Sequence, residues 1–179
     1  MEDIASIERR ASHVKLLLMD CDGVLTDGSI TLIDGDEQKT FNVRDGHGIV
    51  MLHRAGLQSG IISGRTSSCV LRRASELGMK SDLVCQGSVN KVKDFEELLL
   101  RTKIRADEVA YIGDDVNDIP LMRRAEFSVA VADSAAETLF AAHYVTRAPG
   151  GRGAVREVAE LILRAQGHWS SLIEPYLES

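Results

Sequence analysis

The stretch that decides the fold is LLLMDCDGVLTDG, residues 16–28, in which four apolar residues end at two aspartates and a glycine-containing turn. A short apolar run of this kind is typical of a strand buried on both faces of a parallel sheet. Ligands bind beyond the carboxyl ends of such strands, so we expect Asp20 and Asp22 at a functional edge. Near a strand end, side chains two residues apart point the same way, and two like charges then need a cation or a shared proton. A divalent metal ion is the simplest way to meet that need.

The composition limits the class of protein. With 179 residues, of which 44% are apolar, the chain is long enough for one domain with a sizeable core. Its net charge of −6 argues against nucleic acid or an anionic membrane as a partner. It has no apolar run of about 18 residues and no basic start typical of a secretory signal, so we expect a cytoplasmic protein. Three widely spaced cysteines favour reduced thiols over a disulfide framework or a zinc site.

Alternating strand and helix patterns follow the first strand. Residues 29–33 and 38–43 flank a turn at Asp34-Gly35-Asp36-Glu37 and predict a β-hairpin over about 29–43. The further predicted strands are 58–63, 82–85, 108–112, 128–131 and 144–145, and the predicted helices lie near 47–55, 66–77, 90–102, 117–124, 135–141 and 153–166. This alternation implies right-handed parallel crossovers, and so a single α/β domain over 1–179 with a doubly wound, Rossmann-like sheet and helices on both faces. The apolar tail, about 168–179, is expected to dock on another surface, for example that of a neighbouring subunit.

Polar groups follow four of the predicted strands, at the point where each strand ends. If these strands are parallel neighbours, the groups converge at one rim of the sheet. In chain order they are Asp20 and Asp22, then Ser63-Gly64-Arg65, then Gln86-Gly87 with Asn90-Lys91, and then Gly113-Asp114-Asp115 with Asp118.

The chemistry of these groups suits phosphoryl transfer. One carboxylate can attack phosphorus to form an aspartyl-phosphate, and a second carboxyl can protonate the leaving oxygen. Mg²⁺ held by further acids lets the nucleophile approach an anionic substrate. A hydroxyl and backbone N–H groups after Ser63 can hold phosphate oxygens, and Lys91 adds a compact positive charge.

Taken together, the motifs resemble those of the haloacid dehalogenase superfamily of phosphatases. There are four of them: Asp-x-Asp-Gly-Val from Asp20, Ser-Gly at Ser63, the lysine that starts a predicted helix (Lys91), and Gly-Asp-Asp-x-x-Asp from Gly113 to Asp118. The resemblance implies that Asp20 is both the nucleophile and a Mg²⁺ ligand. It also implies that Asp22 gives its backbone carbonyl to the metal and acts as general acid and then as base, while Asp114 completes the protein's metal shell.

The same resemblance implies a phosphate-binding role for two further residues. Ser63 and Lys91 would hold the transferring phosphoryl group. Asp115 and Asp118 would be nearby acids in support, with no separate roles assigned.

A closer similarity extends from Lys15 to about Gly167 and is to the capless phosphatases of 3-deoxy-D-manno-octulosonate 8-phosphate. It rests on the short length without a cap domain, on FNVRDG at 41–46 and on GGRGAVRE at 150–157. It implies a role in lipopolysaccharide precursor synthesis and a homotetramer in which hairpins assemble around the axis. The substrate-binding residues that it implies are Asn42, Arg44, Asp45, Gly46, Arg65, Arg73 and Lys91, with Arg152 as a further cation.

Two alternatives accompany this similarity. Members of that family often carry a basic residue at the position of Val50, so one substrate contact is missing or replaced here. Phosphatases of nine-carbon ketodeoxy sugar acids share the capless frame but typically have Gly-Glu where this chain has Gly64-Arg65, which favours the eight-carbon substrate. A related domain fused to sialic acid cytidylyltransferases has a mainly oligomerising role, and the intact acids argue against that non-catalytic alternative.

Each residue taken alone also has a simpler interpretation. Asp-x-Asp-Gly fits an Asx turn or part of a calcium loop, and Ser63 fits a helix cap. Lys91 fits a solvated helix residue, with Lys93 as a competitor, and the arginines fit exposed ion pairs. Structure alone rarely requires five acids at two strand ends, so their combination favours the functional interpretation.

Overall fold

The strands of the computed structural model form one parallel sheet and one separate hairpin. The structure describes residues 3–33 and 36–178, with Asp36 described by its backbone alone. The strands are β1 Leu16–Met19, β2 Thr31–Ile33, β3 Asp36–Gln38, β4 Gln58–Ile62, β5 Val84–Cys85, β6 Val109–Gly113, β7 Phe127–Ala130 and β8 Tyr144–Val145. The parallel sheet has the order β5-β4-β1-β6-β7-β8, and β2 pairs antiparallel with β3. Of the predicted hairpin turn, Asp34 and Gly35 lie outside the described residues.

Helices connect these strands and cover the sheet. They are α1 Ile4–Ser12, α2 Val43–Arg54, α3 Ser68–Glu76, α4 Lys91–Thr102, α5 Ile119–Met122, α6 Ala136–Ala141, α7 Ala154–Ala165 and α8 Trp169–Leu177, with short 3₁₀ turns at Ser81–Leu83 and Ala106–Glu108. In the part of the chain that the structure describes, no helix is both long and apolar enough to span a membrane. The same described residues contain no cap domain.

Two apolar clusters, one on each face of the sheet, form the core. In β1, Leu17 and Met19 belong to the cluster that α1, α2, α3, α7 and α8 cover, whereas Leu16 and Leu18 belong to the cluster under α4, α5 and α6. The alternation follows from the two-residue period of a strand, and it explains why all four residues are buried. The predicted doubly wound α/β fold is therefore confirmed.

The strand order places a crevice beside β1. From β1 the chain moves outward to β4 and β5, and it then returns to β6 on the other side of β1. Met19 pairs with Ile61 of β4 on one side and with Ile112 of β6 on the other. The connections diverge at this point, which is where open α/β sheets bind ligands.

The helix after the hairpin begins earlier than the predicted 47–55. Asn42 caps α2, because its side-chain oxygen accepts a hydrogen bond from the backbone N–H of Arg44 at 2.8 Å. The helix therefore starts at Val43, and the second hairpin strand ends at Gln38 instead of continuing to Val43. Gly46 and Gly48 weaken the helical pattern in the sequence, but both are buried against neighbouring elements.

The carboxyl-terminal tail docks on its own chain. The sequence patterns predict neither α1 nor α8, and they leave the tail without a partner in the domain. In the structure, Trp169 is buried, and the Arg156 and Arg164 guanidinium groups lie 5.3 and 4.6 Å from the centre of its ring. The tail therefore packs on α7, and the hydroxyl of Tyr176 accepts a hydrogen bond from Arg54 of α2 at 2.8 Å. Trp169 is thus covered within one chain.

Candidate active site

The candidate site lies at the carboxyl ends of β1 and β6. Asp20 follows β1 directly, and its backbone N–H donates to the carbonyl of Ile112 at 3.0 Å, which extends the sheet by one residue. The residue is only 6% exposed. Asp114 follows β6, the neighbouring strand, so the topology brings these two predicted metal ligands to one edge.

A buried lysine joins two of the carboxylates. The Nζ of Lys91, in the first turn of α4, lies 2.9 Å from Oδ2 of Asp20 and 2.7 Å from Oδ1 of Asp118. Burial alone would lower the pKa of Lys91, but the two carboxylates outweigh it, and the net shift is upward. Lys93, the competing candidate, is exposed and pairs with Glu97 at 3.7 Å. The structure thus places Lys91, and not Lys93, at the acidic cluster.

Asp118 is the fully buried centre of this cluster. Its Oδ1 accepts a hydrogen bond from the Tyr111 hydroxyl at 2.7 Å as well as from Lys91, and its Oδ2 accepts from the backbone N–H of Asp114 at 3.1 Å. Both oxygens are therefore engaged within the protein. Asp115 is exposed, and its carboxylate accepts from the backbone N–H of the next residue, Val116, at 2.7 Å.

Burial and the crowding of like charges raise the pKa values of two aspartates in the cluster. Burial, followed by the charge of Asp118, raises the pKa of Asp20 from 3.8 to about 6, although Lys91 opposes the shift. Burial and the charges of Asp118 and Asp20 raise the pKa of Asp114 from 3.8 to about 7. One lysine therefore does not offset the negative charge of three neighbouring carboxylates.

The residues of this cluster fit a divalent metal ion. Carboxylate oxygens of Asp20, Asp114 and Asp118 all lie within 4.8 Å of one another, and hard oxygen ligands suit Mg²⁺. The carboxylate of Asp114 packs against Gly23, where any side chain would overlap it. Because Asp118 already accepts hydrogen bonds at both oxygens, Asp20 and Asp114 are the better direct ligands, with Asp118 behind them.

Ser63 lies one strand away, at the end of β4. It is buried, and its hydroxyl oxygen accepts a hydrogen bond from the backbone N–H of Arg65 at 3.3 Å. Its carbonyl accepts from the N–H of Ser88 at 3.0 Å, which joins the loop after β4 to the loop after β5. Among the described residues, no hydrogen bond donated by the Ser63 hydroxyl is found, so its proton can bind an anion.

Asp22 faces the hairpin. Its carboxylate contacts the ammonium group of Lys39, which also lies 3.1 Å from the carboxylate of Glu37. The guanidinium of Arg65 pairs with the same Glu37 oxygen at 3.1 Å. The hairpin thus places a cation against the predicted acid and base, and it engages an arginine predicted to contact substrate.

Comparison with known proteins identifies the family. A sequence model of the haloacid dehalogenase-like hydrolases matches residues 74–156. The 3-deoxy-D-manno-octulosonate 8-phosphate phosphatase KdsC of Yersinia pestis is 46% identical over 159 residues, which cover 88% of this chain and 84% of that protein. The chain belongs to the KdsC family of haloacid dehalogenase-like hydrolases. The resemblance drawn from the four motifs is thereby confirmed.

Solved structures of KdsC-type phosphatases share the fold. A crystal structure of the Yersinia pestis enzyme superposes with a TM-score of 0.90 at 44% identity, covering 92% of this chain and 89% of that one. A structure of the Moraxella catarrhalis phosphatase in complex with magnesium, phosphate and KDO has a TM-score of 0.94 at 39% identity, covering 97% and 99%. The alignment of folds thus extends over nearly the whole chain.

Not all residues predicted to bind substrate face the acidic cluster of this KdsC-family chain. Asp45 is buried, and its carboxylate accepts hydrogen bonds from the backbone N–H groups of Gly153 at 3.1 Å and Arg156 at 2.8 Å. It therefore caps α7. Arg73 packs against Gly46 and lies 6.0 Å from the ring centre of Phe41, in the contact between α2 and α3.

Two further predicted arginines lie in a separate groove. Arg44 and Arg152 line an open groove of about 630 Å³ along α1 and α7, to which the three clustered aspartates do not contribute. Arg152 also lies 3.7 Å from Asp27, in the loop after β1. The contacts found for these two side chains among the described residues do not include the three clustered aspartates.

The glycine-rich segment before α7 packs against the loop after β1. The backbone N–H of Gly151 donates to the carbonyl of Val24 at 2.9 Å, and a side chain at Gly150 would overlap the carbonyl of Gly23. Gly151 also has φ +64°, a conformation that favours glycine. The segment therefore makes close backbone contacts with the loop after β1, and it also leads into α7 of this KdsC-family chain.

Sequence reasoning missed three residues of the site: Lys39, Glu37 and Tyr111. Tyr111 could have been found from the sequence, because it is a tyrosine in the otherwise aliphatic, buried strand β6. A buried hydroxyl needs a hydrogen-bond partner. Glu37 and Lys39 are two residues apart in an extended segment, so their opposite charges share a face. That their target is Asp22 depends on the path of the hairpin, which the local pattern does not specify.

Proposed function

We propose that this chain is a Mg²⁺-dependent phosphatase that hydrolyses 3-deoxy-D-manno-octulosonate 8-phosphate to the free sugar acid and phosphate. The observation that supports this most directly is the buried Asp20 carboxylate, held by Lys91 beside Asp114 in a chain 46% identical to a KdsC enzyme. The Moraxella catarrhalis phosphatase binds magnesium, phosphate and KDO together, and that combination fits the donor set found here.

Asp20 is the proposed nucleophile. Its carboxylate oxygen forms a bond to phosphorus while the bond from phosphorus to the sugar oxygen breaks, which leaves an aspartyl-phosphate. Lys91 holds Oδ2 of Asp20 at 2.9 Å, so it fixes the nucleophile and places positive charge near the transferring group. Ser63 donates its hydroxyl proton to a phosphate oxygen.

Asp22 is the proposed proton carrier. Its carboxyl protonates the departing sugar oxygen, and its carboxylate then takes a proton from the water that attacks the aspartyl-phosphate. This second attack releases phosphate and restores Asp20. The two roles alternate on one residue, so each turnover leaves Asp22 protonated again.

Asp20, Asp114 and the backbone carbonyl of Asp22 would hold the Mg²⁺ ion. When bound, it would supply positive charge that lets an anionic substrate approach a carboxylate. Asp118 orients this group, because it accepts from Lys91, Tyr111 and the backbone of Asp114. The proposed setting is the cytoplasm and lipopolysaccharide precursor synthesis, which is where the family resemblance places this substrate.

Assembly into a homotetramer is part of the proposal. Ile30, Leu32 and Ile33 on the hairpin are exposed apolar residues, and a group of such residues favours contact with other chains. The hairpin is the element that family resemblance assigns to the tetramer axis.

The test combines a nucleophile variant with a substrate comparison. With Mg²⁺, kcat/KM for the eight-carbon sugar acid phosphate should exceed that for a nine-carbon analogue by about tenfold or more. Asp20→Asn should lower kcat by about 10³-fold or more without changing the thermal midpoint by a large amount, since the amide is nearly isosteric. Asp82→Asn, an exposed acid before β5, is the matched control and should retain full activity. Substantial activity in Asp20→Asn would overturn the nucleophile, and a preference for the nine-carbon substrate would overturn the substrate.

A further inference from the structure

Lys39 is an unusually buried cation for a residue next to a hairpin. Its side chain is 1% exposed, although it directly follows the last residue of β3. A buried ammonium group is costly unless carboxylates and hydrogen bonds compensate it. Here the compensation comes from Asp22 and Glu37, whose hydrogen bonds raise the pKa of Lys39 even though burial lowers it.

The same network fastens the hairpin to a second loop of the site. Glu37 accepts from the Nε of Arg65 at 3.2 Å and lies 3.1 Å from its Nη2. The backbone carbonyl of Glu37 also accepts from the thiol of Cys69 at 3.4 Å. Asp22, Lys39, Glu37 and Arg65 thus form a chain of alternating charges with no net charge, running from the loop after β1, through the hairpin, to the loop after β4.

The two aspartates that follow β1 are held by two different lysines. Asp20 is held from the α4 side by Lys91, and Asp22 is held from the hairpin side by Lys39. The two aspartates of one motif therefore have separate cations, and neither lysine contacts the other aspartate within the described ion pairs. Without Lys39, an aspartate in an open loop would sample several rotamers, and proton transfer depends on one orientation.

We infer that Lys39 is a positioning residue: its ammonium group holds Oδ1 of Asp22, which leaves Oδ2 to carry the proton that passes to the leaving oxygen. This inference rests on the proposed role of Asp22. The hairpin then does more than form a contact surface, because it supplies Lys39, the residue that orients Asp22. The described residues include no cap domain that could do so.

The leaving group distinguishes this role from a structural one. A sugar oxygen needs a proton as the bond to phosphorus breaks, whereas p-nitrophenolate leaves without one. Since kcat/KM reports the steps up to the first irreversible one, Lys39→Met should lower it for the sugar phosphate by about 100-fold and for p-nitrophenyl phosphate by less than about threefold. Lys39→Arg, which can still pair with both carboxylates, should recover most of the loss. Lys80→Met, which removes an exposed lysine bonded to Gln58, should change neither value.

Asp22→Asn serves as the reference and separates the two proposals. If Asp22→Asn lowers kcat/KM only for the sugar phosphate and Lys39→Met lowers it equally for both substrates, the positioning role is wrong while the function stands. If Asp22→Asn itself lowers kcat/KM equally for both substrates, the acid role of Asp22 is wrong, and the inference falls with it. The double variant should be no slower than Asp22→Asn alone, and a further large loss would also overturn the positioning role.

Discussion

At the scale of single residues, the decisive feature is the imbalance of charge around Lys91. One ammonium group faces the carboxylates of Asp20 and Asp118, and Asp114 lies beside them. Burial, together with this remaining negative charge, raises the pKa of Asp20 to about 6 and that of Asp114 to about 7, so the cluster needs protons or a cation.

This imbalance predicts how stability changes with pH in metal-free protein. Folded Asp20 and Asp114 hold protons that the unfolded chain has released, so their contribution to stability is full below about pH 4 and is lost as pH rises to about 7. Mg²⁺ should therefore raise the thermal midpoint more at about pH 8 than at about pH 5. Calorimetry in EDTA and in millimolar MgCl₂ measures both effects.

The control for this experiment is Asp114→Asn. Burial lowers the pKa of His47 and of His53, so these two residues make the protein more stable as pH rises, which is opposite to the effect of the aspartates. The variant keeps both histidines, so a comparison with the wild type removes their contribution. Asp114→Asn should lose less stability with rising pH than the wild type and should respond weakly to Mg²⁺. Identical pH profiles for the two proteins would contradict the charge imbalance.

At the scale of elements, Asp45 joins two helices. It lies in the first turn of α2, and its carboxylate caps the first turn of α7 through two backbone N–H groups. Burial raises the pKa of Asp45, although these hydrogen bonds oppose the shift. The most direct role of this residue is therefore to orient α7 on α2.

Asp45→Ala should thus destabilise the protein by about 1–3 kcal/mol, because two buried backbone donors lose their acceptor. Asp45→Asn keeps one acceptor oxygen and should cost less. Urea denaturation measures both, and Asp82→Ala, at an exposed acid, should change the free energy of unfolding by less than about 0.5 kcal/mol. The KM of Asp45→Asn should change by less than about threefold; a large increase would instead support the substrate-binding role that the family resemblance implies.

At the scale of the whole molecule, the hairpin carries apolar residues that are exposed in a single chain. Leu32 is 71% exposed on β2. Leu32→Asp should convert a homotetramer of 19.6 kDa chains into smaller species in light scattering, since a charge in an apolar contact is costly. Leu100→Asp, at a leucine of α4 that is 80% exposed, should leave the mass unchanged. A wild-type protein that is monomeric at micromolar concentration would contradict the proposed assembly.

The fold was largely predictable because its signals are local. Most strands of the parallel sheet end in turns with glycine or polar residues, and α7 repeats apolar residues at helical spacing, with Val155, Val158, Ala159 and Ile162 all buried. The start of α2 was not predictable from periodicity, since glycines interrupt its apolar pattern. Neither α1 nor α8 was predicted; the buried residues are Ile7 and Ala11 in α1 and Trp169 in α8, and tertiary packing stabilises both helices.

By itself, the sequence determined the doubly wound α/β class and the family. It also predicted that the acids after β1 and β6 would meet, because the carboxyl ends of parallel strands lie at one edge of the sheet. Only the tertiary structure decided the partners of each charge. It placed Asp118 at the centre of the cluster, turned Asp45 towards α7, and brought Lys39 from the hairpin onto Asp22. Such pairings join residues far apart in the chain, and they depend on how elements pack, which local periodicity and spacing do not encode.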